Sequence, residues 1–360
     1  MLYHLLSLLR EHYSVLNLFR YQTFRAIVAF LLAFLIVLIV QPWFIRWVKF
    51  RQFGQPIRDD GPESHKVKQG TPTMGGLVVV LSILLVALLF CDLSSILVWL
   101  MIIVTAGYGV LGFVDDYKKV SQNNSYKGLS ARGKLYWQFG IAFFALLILF
   151  VANPQFSTVV TVPFTKDWGV DLGWFYLLFA ALVIVGTSNA VNLTDGLDGL
   201  MIGPVMSTAF AYGIFAYAAG REDYAAYLGI SHVAGSGELA VIAAAIIAAG
   251  LAFLWYNSFP ASVFMGDVGA LALGGALGTL AVITKHELVL ILAGGIFVIE
   301  ALSVMIQVFW FKMTGKRVFR MAPIHHHFEL GGLVEPKIIV RCWIVSIILA
   351  IISIASLKIR

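Results

Sequence analysis

Long apolar runs separated by short polar stretches set the pattern along this chain. Ten runs approach the roughly 20 residues that a helix needs to cross a bilayer. They lie near 24–48, 73–91, 95–114, 134–153, 173–190, 199–219, 238–256, 268–284, 288–311 and 338–357. Before the first of them, Leu5 to Leu9 is too short to cross and is followed by Arg10, Glu11 and His12. Residues 1–21 therefore read as an interfacial segment rather than a cleaved signal. No soluble domain fits between the runs, and no low-complexity tract or clear repeat interrupts them. The expectation is an all-α, polytopic integral membrane protein with about ten transmembrane helices, forming a single domain over 1–360.

Composition strengthens this picture. The chain is 60% hydrophobic and 12% charged, with mean hydropathy +0.90, which excludes an ordinary soluble domain. Cys91 and Cys342 lie in or beside apolar runs and read as packed thiols, without a metal-ligand or disulfide pattern. A net charge of +6 can suggest nucleic acid, but in a membrane protein it reports orientation, and nucleic acid is not an expected partner. Loops after the first, third and ninth runs carry fifteen Lys and Arg, among them Lys68, Lys119, Lys134 and Arg320; the opposite side carries eight. The bias places those loops in the cytoplasm and both termini in the periplasm.

The polar motifs fall on the basic side. NAVNLTDGLDG, Asn189 to Gly199, is pinned between two apolar runs, with Asn189, Asn192, Asp195 and Asp198 spaced every third residue. That spacing keeps neighbours close on a helical surface, and oxygen-rich side chains at a membrane are costly unless they bind something. The run offers carboxylates to Mg²⁺ and amides to a nucleobase. The bland alternative is an N-cap series in which Thr194 or Asp195 caps the sixth span. GFVDDYKK ends the third span with Asp115 and Asp116, adjacent acids where the helix macrodipole disfavours negative charge. A cation would relieve them, and so would the following lysines. Asp267 stands between Gly266 and Gly269 before the eighth span, fit either to cap a helix or to hold a metal beside phosphate. Asn257 and Phe264, just upstream, offer an amide and an aromatic face to a base.

MAPIHHHFEL packs His325, His326 and His327 together in a basic loop. Consecutive histidines cannot all face one metal, and no Cys or HExxH partner is present, so charge stabilisation near phosphate fits better than zinc. In the first basic loop, Lys68 before GTPTMGG suits an anion contact, although glycine-rich turns before helices are common. Glu300 lies inside the ninth run, where an acid signals function by default but where a simple interhelical hydrogen bond would look the same.

Taken together and in order, RDDGPESH with GTPTMGG, GFVDDY, NAVNLTDGLDGL, VFMGDVG and MAPIHHHFEL resemble the phospho-N-acetylmuramoyl-pentapeptide-transferase family. The aspartate motifs are shared with the wider superfamily of polyprenyl-phosphate sugar-1-phosphate transferases. The resemblance runs nearly end to end. It implies a ten-helix enzyme of the bacterial inner membrane, often a homodimer, with a cytoplasmic Mg²⁺-dependent site. The implied reaction joins UDP-N-acetylmuramoyl-pentapeptide to undecaprenyl phosphate, giving lipid I and UMP. It further implies that Asp115, Asp116 and Asp267 are essential and that Asp267 contacts the metal; the expected mechanism adds Asp195 or Asp198 as further Mg²⁺ ligands. Lys68, Asn192, Asp195, Asp198, Asn257 and Phe264 would belong to the nucleotide pocket, Phe264 by stacking on uracil. The expected mechanism is a single displacement, with Lys119 orienting the nucleophile and His325 to His327 and Lys68 offsetting charge.

Overall fold

The computed structural model describes residues 1–10, 12–51, 70–122, 128–165 and 168–358. Its helices are α1 (Leu2–Leu9), α2 (Gln22–Phe50), α3 (Gly76–Phe90), α4 (Ile96–Ser121), α5 (Ala131–Ala152), α6 (Phe175–Thr194) and α7 (Ile202–Ala219). They continue with α8 (Glu222–Leu228), α9 (Leu239–Asn257), α10 (Gly266–Ile283), α11 (Leu290–Ala293), α12 (Gly295–Thr314), α13 (Ile324–Glu329) and α14 (Glu335–Ala355). Among the described residues, nine helices are long and apolar enough to cross a membrane: α2, α4, α5, α6, α7, α9 with its preceding turn, α10, α12 and α14.

The second expected span is shorter than its hydropathy suggested. α3 has 15 residues because the chain before it is spent elsewhere. Pro72 O accepts from Phe264 N at 2.8 Å, and Gly75 N and Gly76 N donate to Phe264 O and Met265 O at 2.9 Å each. The 72–76 stretch is thereby tied to the chain that leads into α10. The ninth run is likewise divided, with α11 and α12 meeting at Gly294. Between α5 and α6 a two-stranded antiparallel hairpin pairs Val159–Thr161 with Gly169–Asp171, an element the all-α expectation did not contain.

α10 is the axis of the molecule. Every residue from Val268 to Ile283 is buried, and the helix packs chiefly against α4 and α6. Its Gly- and Ala-rich sequence lets those backbones approach closely, the usual basis of helix association in lipid. α2 packs along α9, and α9 along α7, so the two sets of helices meet over the buried faces of α3 and α10. Pro42 inside α2 lacks an N–H, which leaves a carbonyl one turn earlier without its usual donor. Tyr256 of α9 supplies the replacement, its hydroxyl donating to Leu38 O at 2.8 Å.

Candidate active site

α4 continues as a helix two turns beyond its apolar run, and those turns carry Asp115, Asp116 and Lys119. The i,i+4 relation brings Lys119 Nζ within 2.6 Å of Asp115 Oδ2, and it lies 3.9 Å from Asp116 Oδ1. α10 begins beside them. Its second residue, Asp267, receives Lys119 Nζ at 2.9 Å on Oδ2, and Val268 N donates to Asp116 Oδ2 at 3.1 Å. An N–H of the first helical turn has no intrahelical acceptor, so it is available to a carboxylate, and Asp267 itself gains from the positive end of the macrodipole.

A second ammonium closes the cluster. Lys134, in the first turn of α5, lies 3.0 Å from Asp115 Oδ2 and 2.6 Å from Asp267 Oδ2. Leu129 N donates to the other Asp115 oxygen at 2.6 Å. Asp115, Asp116 and Asp267 each offer an oxygen within 4.8 Å of the others. Among the described residues, three carboxylates face two ammoniums at largely buried positions, an excess of negative charge. Clustered hard oxygen donors short of positive charge fit Mg²⁺ by their chemistry.

The NAVNLTDGLDG run divides at Asp195. Asn189 and Asn192 lie on the last turns of α6, and Asp195 ends that helix as its C-terminal cap. Capping of the following helix, expected from Thr194 or Asp195, does not occur: α7 starts at Ile202 after Met201, with no side-chain cap. The turn between the helices consumes the residues that the spacing put at the helix start. Thr194 instead bonds back to Ala190 O at 2.9 Å. Packing around the Asp195 carboxyl, with the Asp267 and Asp198 carboxylates nearby, pushes its pKa up to about 7. A hydrogen bond from the Gly266 backbone opposes this in part.

Other candidates have structural partners already. Asn189 Nδ2 donates to Gln138 Oε1 and to Val185 O, both at 2.8 Å, leaving its oxygen as the group to offer a ligand. Asn192 is half-buried one turn before Asp195. Asp198 is buried, and its Oδ2 accepts from Ala261 N at 2.9 Å, tying the Gly196–Met201 turn to the loop before α10. Asn257, buried at the end of α9, donates to Val263 O at 2.8 Å and so braces the segment that carries the half-buried Phe264. Asp267 is thus grouped with Asp115 and Asp116, with Asp195 alongside. Lys68 lies outside the described residues.

The three histidines diverge, although all lie on α13. His325 is fully buried with Nδ1 3.0 Å from Glu300 Oε2. His326 Nδ1 lies 3.1 Å from Glu329 Oε2, and His327 Nδ1 accepts from Arg320 N at 3.1 Å. His325 packs on the Gly196 turn, where an added Cβ would lie 2.2 Å from Nε2.

Sequence reasoning missed Lys134, which entered only as a loop charge. The signal was present, since a lysine in the first turn of a helix opposes the macrodipole and needs an acid to compensate. Glu335 was also missed; its Oε1 accepts from Asp198 N at 2.9 Å. Nothing local in the sequence points to that contact.

Comparisons with known proteins show which family the chain resembles. The profile of Glycosyl transferase family 4 matches residues 98–285, the interval from α4 to the end of α10. A phospho-N-acetylmuramoyl-pentapeptide-transferase signature matches residues 68–80. Phospho-N-acetylmuramoyl-pentapeptide-transferases of Citrifermentans bemidjiense, Geobacter sp. strain M21 and Pelobacter propionicus are each 56% identical over 360 residues, covering the whole of both chains.

Proposed function

The chain belongs to the phospho-N-acetylmuramoyl-pentapeptide-transferase family, and from that premise we propose that it moves phospho-N-acetylmuramoyl-pentapeptide from its UDP conjugate to undecaprenyl phosphate. The products are lipid I and UMP. The observation that carries the reading is the convergence of Asp115, Asp116 and Asp267 with Lys119 and Lys134 at one end of the helical body. The excess of basic loops at that end supports a cytoplasmic site in the bacterial inner membrane, with periplasmic termini. A homodimer is part of the same proposal.

Phosphoryl transfer depends mainly on positioning and charge neutralisation. A phosphate monoester has a second pKa of about 6, so the lipid phosphate is largely dianionic at neutral pH and needs no strong base. Its oxygen attacks the sugar-side phosphorus of the UDP donor, the bond to the UMP oxygen breaks, and UMP leaves. Asp116, held by the Val268 N–H, takes any residual proton of the nucleophile. Lys119 and Lys134 fix the carboxylates and draw the incoming phosphate towards them. Asp267, Asp115 and Asp116, with Asp195 beside them, would hold Mg²⁺, which supplies charge neutralisation for the diphosphate. Asn192, the Asn189 oxygen and the Phe264 ring receive the nucleotide, with Asn257 bracing the Phe264 segment. Asp198 anchors the turn, Lys68, His326 and His327 offset remaining charge, and His325 contributes through the nitrogen it presents to the Gly196 turn.

The test is UMP release by purified protein in lipid nanodiscs supplied with undecaprenyl phosphate. Release with UDP-N-acetylmuramoyl-pentapeptide, and none with UDP-N-acetylglucosamine, is the expected result. The reverse preference would move the enzyme to N-acetylglucosamine-1-phosphate transfer. Exchange of labelled UMP into the UDP donor without lipid would replace direct displacement by a phosphoryl-aspartate intermediate.

A further inference from the structure

Glu300 stands in α12, among apolar residues that face lipid or other helices, and it is 2% exposed. Burying a carboxylate there is costly unless it is paired. Its partner is His325, itself fully buried, with Nδ1 3.0 Å from Oε2. The contact joins α12 to α13, elements separated in the chain by an exposed basic loop. A carboxylate has acceptors only, so the proton of this bond belongs to Nδ1. The ring is then fixed in orientation, and its other edge is determined.

That edge meets the Gly196 turn. His325 Nε2 abuts Gly196, where an added Cβ would lie 2.2 Å away, so only a residue without a side chain fits between Asp195 and Leu197. Nε2 is buried and has no hydrogen-bond partner among the described residues. An unpaired buried polar atom costs about 1–3 kcal/mol, and a nitrogen kept at that expense fits one that is paired when ligand is bound. Asp195, adjacent to Gly196, accepts a hydrogen bond from the backbone of Gly266, the residue before Asp267, which places the turn beside the acid cluster.

From these contacts, and resting on the transferase reading above, we infer that Glu300 is a positioning residue for the transfer. It holds the His325 ring so that the Nε2 lone pair is presented at the Gly196 turn, where it accepts a hydrogen bond from a hydroxyl or N–H group of the bound nucleotide donor. The carboxylate does not touch substrate; it acts through the imidazole, as an outer partner orients a working histidine in other sites.

The experiment combines kinetics with ¹⁵N-histidine NMR of the full chain in nanodiscs, His325 being assigned by loss of its signals in His325→Gln. Wild-type His325 should carry its proton on Nδ1, and titration with UDP and Mg²⁺ should shift the Nε2 signal. Glu300→Gln, which keeps an acceptor, should retain that tautomer and lose less than about tenfold in kcat. Glu300→Leu should release the Nδ1 proton to Nε2 and lower kcat by about 10- to 100-fold, with KM for the UDP donor changed less than threefold. A folded Glu300→Leu within about threefold of the wild-type kcat would overturn the inference, because outer-shell losses at working sites exceed that. So would a wild-type His325 with an unprotonated Nδ1. Should Glu300→Leu not fold, the wild-type tautomer, the UDP shift and Glu300→Gln decide the matter. A wild type that releases no UMP would remove the transferase reading while leaving the tautomer measurement to decide the Glu300 contact on its own.

Discussion

Asp267 joins the acid cluster to the start of α10. Two lysines converge on one of its oxygens, and it starts a helix whose first N–H groups serve the neighbouring acid. Asp267→Asn removes the charge around which Lys119 and Lys134 are arranged. Turnover should fall at least about a hundredfold, the scale of losing one preorganised charge contact, and the Mg²⁺ dependence should flatten. A variant keeping half the wild-type rate would take Asp267 out of the metal role. Asp195 tests the electrostatics by another route. Its folded-state pKa of about 7 lies above the value near 3.9 of an unfolded aspartate. Between those values the native chain holds a proton that the unfolded chain has lost, so stability falls as pH rises from about 4 to about 7. Thermal melts in chelator should show Asp195→Asn losing this slope relative to wild type.

At the scale of elements, the close approach of α4 and α10 sets the acid cluster. A Cβ on Gly112 would come within 2.3 Å of the Asp267 carbonyl oxygen, so the two backbones nearly touch one turn before Asp116. Gly112→Val should force them apart, cost about 1–3 kcal/mol and move Asp116 off the Val268 N–H. Gly140→Ala is the control, since its Cβ meets nothing within 4 Å and should change stability by less than about 0.5 kcal/mol. Differential melting temperatures and UMP release check both. Element boundaries were legible only in part. Apolar runs located the helices, yet α4 and α6 continue through polar residues because their ends are met by other parts of the fold rather than by water. For the same reason Asp195 ends one helix instead of starting the next.

The whole molecule has a polarity along its helices. The acid cluster lies at one end; at the other, Arg25 pairs with Glu238 at 2.6 Å, and Lys285 with Glu287 at 2.9 Å, both buried. The first pair joins the starts of α2 and α9, and the second lies within the turn after α10. Topology follows from the basic loops, and labelling checks it. In a chain freed of Cys91 and Cys342, a cysteine at Tyr227 should react with an impermeant maleimide in intact cells. A cysteine at Lys316 should react only after lysis; the opposite pattern would invert the orientation and move the site outside. Both positions are exposed, so failure to label would report the membrane and not burial.

The sequence by itself determined the membrane class, the approximate positions of the helices, the side that carries the polar motifs and the resemblance that names the reaction. Those properties depend on local hydropathy, on charge in loops and on the order of motifs, all of which a linear chain displays. Tertiary structure decided which acids share a centre, that Lys134 is among their partners, that Asn189 has only its oxygen to offer, and that three adjacent histidines take three different roles. The shared acid centre and the Lys134, Gln138–Asn189 and Glu300–His325 contacts join residues far apart in the chain, which only the packing of α4, α5, α6, α10 and α12 around the site could bring about.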